Sequence, residues 1–230
     1  MARLIEHTVQ ITAQKYLESY YKGKARKGRM FSKIEVRTKK EYGGFRADGF
    51  LAFKKRWTGE LYVISMESKS YKTLKAIQPY RENKLWFKNS VWAGFLFAVG
   101  AGGLFAIVGF DNPVLGLMFF AAMLTVGFFG YGTLTRNGFQ HKQIPVLNQV
   151  EQYPANEKWI SISEDSFEDI DEKGQDSFMK VCKSRGYGLI IVDSKKKNRR
   201  YYRPNKNYRM WGSYVKFYAL EQEIRAYLEK

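Results

Sequence analysis

The stretch FRADGFLAFKKRWTGELYVISMESK, residues 45–69, decides how this chain folds. Two runs rich in aromatic and β-branched residues, 45–53 and 61–67, flank Thr58 and Gly59, a turn pair, and so predict an antiparallel hairpin. Gly43 and Gly44 mark a second turn, and residues 31–38 supply a strand before it. The result is a meander of three antiparallel strands. Upstream, Ile5, Val9, Thr12, Tyr16 and Tyr20 fall at helical spacing with no Gly or Pro between them, which predicts a helix over 4–21. Gly23 closes that pattern, and a basic loop, 24–29, leads into the meander.

Downstream, residues 71–88 predict a helix that Pro79 kinks or divides, because proline removes a backbone donor and clashes with the preceding turn. Residues 144–150 and 159–163 form two short ordered segments. A helix within 165–185 ends near Gly186. Residues 188–193 are continuously apolar up to Asp193, the signature of a strand buried on both faces. A basic stretch, 195–200, follows, and a helix over 213–229 closes the chain.

Between these parts lie two apolar runs, 91–110 and 113–135, with no charged residue in either. At 1.5 Å of rise per residue each is long enough for a hydrocarbon core of about 30 Å. Only Asp111 and Asn112 separate them, so they predict an α-helical transmembrane hairpin. Lys84 and Lys88 precede the first run, Arg136 and Lys142 follow the second, and the turn carries Asp111 alone. The positive-inside rule then puts both flanks, and both termini, on the cytoplasmic side of the inner (cytoplasmic) membrane. Trp86 and Trp92 stand where indoles anchor helices at the headgroups. Gly94, Ala98, Gly102 and Ala106 form a stripe of small residues, suited to close approach by the second helix or by another copy. The absence of ionisable groups in both runs argues against a proton or ion pathway through them. The expected organisation is therefore 1–88, a first part of a cytoplasmic domain; 89–136, the hairpin; and 137–230, the second part. The two outer pieces are expected to form one α/β domain.

Composition narrows the partners. The chain of 230 residues carries a formal charge of +17, which calls for an anionic partner, lipid headgroups or nucleic acid. Cys182 is the sole cysteine, so neither an intramolecular disulfide nor a cysteine metal site can form. His7 and His141 have no partner at ligand spacing. Gly100, Gly102 and Gly103 lie in an apolar run with no preceding strand, which excludes a phosphate loop.

The meander holds the residues with chemistry in them. Asp48 lies on the second strand, and Glu67 and Lys69 share one face at the end of the third, because side chains alternate along a strand. Two carboxylates on adjacent strands can share a hard divalent cation such as Mg²⁺. A neighbouring lysine can orient water or stabilise charge on a phosphate. An ordinary ion pair at the strand end is the alternative for Glu67 and Lys69, and a first-turn carboxylate favoured by the helix dipole is the alternative for Glu6.

A helix carrying Glu6, a strand carrying Asp48, and a strand ending in Glu67-Ser68-Lys69 resemble the PD-(D/E)xK nuclease superfamily. Ala47 stands where the motif has proline. The resemblance implies a restriction-endonuclease-like αβββαβ core, completed by the later helix and the strand 188–193 and interrupted by the membrane hairpin. It implies Mg²⁺ or Mn²⁺ held by Asp48 and Glu67, water assisted by Lys69, and support of the metal site from Glu6. Lys195, Lys196, Lys197, Arg199, Arg200, Tyr201 and Arg203 mix cations with aromatic rings, which fits a nucleic-acid track or a surface lying on anionic lipid. The expected function is cleavage of DNA at the cytoplasmic membrane face, in defence against foreign DNA. The alternative is a non-catalytic membrane scaffold of the same fold that oligomerises or recruits partner proteins.

Overall fold

The computed structural model describes residues 3–108, 113–135, 142–195, 197–209 and 212–229. The chain divides into two compact units, Met1–Pro79 with Ile144–Lys230, and Tyr80–Gln143.

The larger unit is a mixed α/β domain built on six strands: β1 (Phe31–Arg37), β2 (Arg46–Lys54), β3 (Leu61–Lys69), β6 (Glu157–Ser163), β7 (Gly188–Val192) and β8 (Asn198–Tyr202), in the spatial order β1-β2-β3-β6-β7-β8. The first three strands are antiparallel, β3, β6 and β7 run parallel, and β8 returns antiparallel at the edge. The meander follows its turn signals: Gly43, Gly44 and Gly59 all adopt the left-handed conformation that glycine reaches without strain.

Alternation assigns the two faces. Helix α1 (Glu6–Lys22) covers Leu51, Phe53, Ile64, Met66, Trp159 and Ile190. On the other face, α5 (Pro145–Glu151), α6 (Glu164–Glu168) and α7 (Glu172–Arg185) enclose Ile160, Ile162, Leu189 and Ile191. Beside them a short turn at Tyr214–Phe217 and helix α8 (Glu221–Glu229) cover Phe50, Ala52 and Val63. Gly49 marks where α1 lies closest to β2. A Cβ there would stand 2.6 Å from Met66 Cε and press on Gln14 Oε1.

Several expectations need correction. The strand beside β3 is β6, over 157–163; the apolar strand 188–193 is β7, one place further out. The helix before the new neighbour of β3 is α5; the helix expected within 165–185 is present as α7 and ends at Gly186 as expected, with the short α6 before it. The basic stretch is not simply a loop. From Asn198 onward it is the edge strand β8, whose alternation of exposed and half-buried residues hid among the charges. Residues 71–88 are not one helix: α2 (Leu74–Ile77) stops before Pro79, and Tyr80–Arg81 is extended as β4. The closing helix begins only at Glu221.

The smaller unit contains α3 (Asn83–Val108) and α4 (Pro113–Leu134), with β4 paired to β5 (Lys142–Gln143) at their base. By length and composition, α4 is the one described helix long and apolar enough to cross a membrane. The first expected span falls on α3 up to Val108; residues 109–112, which include its end and the turn, lie outside the described residues, as do 136–141. Within the pair, a Cβ on Gly127 would stand 2.9 Å from Gly94 Cα and 2.8 Å from Phe97 Cβ. The small-residue stripe of α3 thus meets α4 at Gly94, and Ala98 is fully buried.

Candidate active site

The β2–β3 ladder runs from Lys54↔Leu61 to Gly49↔Met66 and stops there, although β2 continues to Arg46 and β3 to Lys69. Beyond Gly49 the two strands part. Asp48 and Glu67 occupy the next register positions, on the same face as Phe50 and Val63. The Ser68 N–H donates to Asp48 Oδ2 at 2.8 Å, so a side chain takes the bond that a ladder partner would otherwise supply. The Asp48 carbonyl accepts from Gln10 Nε2 of α1 at 2.5 Å. Strand separation is therefore held open by one carboxylate and one glutamine.

Glu67 and Lys69 are 4 % and 5 % exposed, and charged groups so deeply placed must be paired. Lys69 Nζ donates to Glu67 Oε1 at 2.7 Å, and Tyr153 OH, from the loop after α5, donates to Glu67 Oε2 at 2.9 Å. Burial, then the neighbouring Glu67 charge, push the Tyr153 phenol well above its ordinary range, so it remains a donor. The Asp48 carboxyl is pushed up to about 7, first by burial and next by repulsion from Glu67; the Ser68 N–H and Lys69 oppose the rise. Glu6, at the start of α1, accepts from Thr73 Oγ1 at 3.0 Å and adds to the negative field at Asp48. Thr73 is itself fixed by a reciprocal capping contact with Ser70, just past the end of β3.

The four predicted residues Glu6, Asp48, Glu67 and Lys69 thus meet around the carboxyl-terminal end of β3. The basic group does not join them directly. It lies on β8 and its preceding turn, with Arg203 just past the strand's other end, at the far edge of the sheet, three strand spacings or about 14 Å from β3. That turn projects from the same end of the sheet, since β7 ends beside the start of β8. Arg199 pairs with Glu164 at 3.5 Å, Arg200 lies 5.0 Å from the Tyr20 ring, and Tyr201 packs near Phe167. Lys195, Lys197 and Arg203 are exposed, and Lys196 lies outside the described residues.

Among the described residues, no group of three or more His, Cys, Asp or Glu side chains is arranged to hold a metal. What exists is a facing pair of carboxylates. Hard oxygen donors suit Mg²⁺ or Mn²⁺, and Mg²⁺ commonly takes one or two carboxylates and keeps several waters. The mutual repulsion that raises the Asp48 carboxyl is the charge imbalance a divalent cation relieves. On donor chemistry the residues fit.

Sequence reasoning missed Gln10 and Tyr153. The first had a visible signal: Glu6, Gln10 and Gln14 recur every four residues, a polar line on a helix whose line faces the sheet. Gln10 and Gln14 are both buried. Tyr153 had none, because only the tertiary fold brings it to Glu67. Comparison with family models, curated proteins and solved structures found no match.

Proposed function

We propose that this chain is a membrane-anchored, divalent-metal-dependent nuclease of the PD-(D/E)xK type, which hydrolyses DNA phosphodiester bonds at the cytoplasmic membrane face in defence against foreign DNA. The convergence of Asp48, Glu67 and Lys69 where β2 and β3 part carries this reading. The order α1, three-strand meander, α5 and parallel β6 supports an αβββαβ core, with residues 80–143 inserted between β3 and α5. The apolar length of α4 and the flanking lysines support the anchor.

A bound Mg²⁺ or Mn²⁺ would polarise the scissile phosphate and lower the pKa of a water ligand. Asp48 and Glu67 are the residues to hold it. The Ser68 N–H and Tyr153 OH fix the two carboxylates in position, so little reorganisation is needed when charge arrives. Lys69, paired with Glu67, is placed to orient an attacking water and to stabilise charge developing on phosphate. Glu6 deepens the negative field, and Gln10 secures the backbone of Asp48. The exposed cations Lys195 and Lys197, in the turn at the same end of the sheet, would meet the DNA backbone; Arg203, past the other end of β8, would not.

Nicking of supercoiled DNA by the purified full chain with Mg²⁺ or Mn²⁺ tests the proposal. Activity that persists unchanged in Asp48→Ala and Lys69→Ala would remove the site from consideration. One observation favours a second reading: both oxygens of Glu67 are already engaged, by Lys69 and Tyr153. A non-catalytic scaffold would retain that pair as structure alone. Stabilisation by Mn²⁺ that disappears in Asp48→Asn distinguishes the nuclease from the scaffold.

A further inference from the structure

The opposite end of the same sheet carries a concavity. It lies beneath the β2–β3 turn and the amino-terminal ends of β3 and β6, with a volume of about 310 Å³. That is within the range of small-ligand pockets. From Tyr62 on its wall to Glu67 is five residues of β3, or about 17 Å, so the two sites are separate. Trp57 is 90 % exposed and Tyr208 63 % exposed, both on the rim, and neither is required by a core. Lys24, Lys55, Arg56 and Lys206 surround them.

The side chains are organised rather than scattered. Lys55 Nζ lies 4.9 Å from the Tyr208 ring and 5.0 Å from the Tyr62 ring, while Arg56 lies 5.5 Å from the Trp57 ring. Cations are thus held next to aromatic faces, the combination that binds a stacked base together with its phosphate. The floor is chemically opposite to the rim. Glu157 is buried and accepts from Tyr62 OH at 2.7 Å and from Tyr21 OH. Each Glu157 oxygen takes one phenol hydrogen and keeps a further lone pair, and the Tyr62 oxygen, having donated its hydrogen, is an acceptor too, so the floor is the complement of an exocyclic amino group on a base. Carboxylates are scarce on the rim: Glu60 pairs with Lys55 at 2.8 Å, leaving Lys24, Arg56 and Lys206 as cations in excess.

A flat anionic membrane would exploit the same tryptophan and lysines, but it has no use for a concave floor of acceptors. A nucleotide uses rim, wall and floor together. We propose that this pocket is a binding site for a nucleotide bearing an amino-substituted base, with the base against Trp57 and Tyr208 and its phosphates toward Lys24, Arg56 and Lys206. The nucleotide comes either free from solution or as a unit of a single strand. The site stands independently of the nuclease reading, and it offers the domain an input remote from Asp48.

The test is equilibrium binding to the full chain in lipid nanodiscs, with ATP, adenosine, UTP, pyrophosphate and a short single-stranded adenine oligonucleotide as separate probes. ATP or the oligonucleotide is expected to bind more tightly than UTP and pyrophosphate. Trp57→Ala and Tyr208→Ala are each expected to weaken binding at least about fivefold, the low end for one stacked base. Trp57 is almost wholly exposed, so its replacement leaves the fold intact. Lys24→Ala with Lys206→Ala should weaken ATP more than adenosine, whereas Asp48→Asn should leave affinity unchanged. Preference for ATP identifies a free nucleotide, and preference for the oligonucleotide identifies a strand. Absence of binding by both, binding indifferent to Trp57→Ala and Tyr208→Ala, or pyrophosphate binding as tight as ATP overturns the proposal.

Discussion

Replacing Asp48 by Asn removes one of two facing negative charges while keeping an oxygen to accept from the Ser68 N–H. The folded carboxyl titrates at about 7, against an ordinary 3.8. A raised acid binds its proton more tightly when folded, so the folded state is penalised as pH rises from about 4 through 7. Over that interval the full shift corresponds to about 4 kcal/mol. Asp48 is only partly buried, and allowing for solvent screening leaves roughly 2–4 kcal/mol at pH 8 and under about 1 kcal/mol near pH 4. Asp48→Asn is therefore expected to be more stable than the natural chain at pH 8, with the advantage fading as the buffer is acidified. Thermal unfolding of both proteins in micelles with EDTA, at pH 4, 6 and 8, measures the difference directly. Groups common to both proteins cancel. Adding Mn²⁺ at pH 8 should close the gap by stabilising the natural chain alone. An advantage absent at pH 8, or equal at pH 4 and pH 8, would refute the claim that Glu67 and burial destabilise the Asp48 charge.

Lys69→Met leaves Glu67 buried without its cation, which should cost about 3–5 kcal/mol; adding Glu67→Leu should restore most of it, as read from unfolding midpoints. Failure of the double variant to recover would mean that the ion pair does more than neutralise itself. Gly49→Ala drives a methyl group against Met66 and Gln14, and a loss of about 1–3 kcal/mol in thermal unfolding is expected. Gly127→Val places branched carbons against Gly94 and Phe97, so the hairpin should separate, with reduced cross-linking between cysteines introduced on α3 and α4. Tyr153→Phe removes one donor from Glu67, for about 1 kcal/mol of stability, and should reduce nicking less than Lys69→Ala does.

The meander was legible because its information is local. Gly43, Gly44 and Gly59 impose their turns, and strand bounds shift by only a residue or two from the expected ones. Helix α1 was legible in its bounds but not in its face: Val9, Ala13, Leu17 and Tyr21 are buried against the sheet, whereas Ile5 is exposed and Thr12, Tyr16 and Tyr20 are only half-buried. Order within the sheet was not legible. Residues 157–163 alternate polar and apolar while 188–192 are continuously apolar, yet nothing in either says which docks on β3. Val146, Leu147 and Val150 of α5 are buried in one core with side chains of both strands, Ile160 and Ile162 as well as Leu189 and Ile191. β8 escaped notice because an edge strand may be as charged as a loop, and charges there even discourage pairing with another chain. Of the candidate site, the charged members were readable, Gln10 showed only as part of a polar line on α1, and Tyr153 was not readable at all. A hydrogen-bond partner more than eighty positions away leaves no mark on either segment.

The break between β3 and β6 also sets an order of events at the ribosome. By the time Lys69 is made, β3 displays a bare edge, Ile64 to Lys69, whose rightful neighbour is almost ninety residues from emerging. The chain must finish two long apolar helices before it can supply that neighbour. Assembly of the larger unit is thus postponed until both helices have been made. A nascent chain stalled inside residues 80–143 would hold Asp48, Glu67 and Lys69 without Tyr153, so this layout delays completion of the site until the inserted helices have been synthesised.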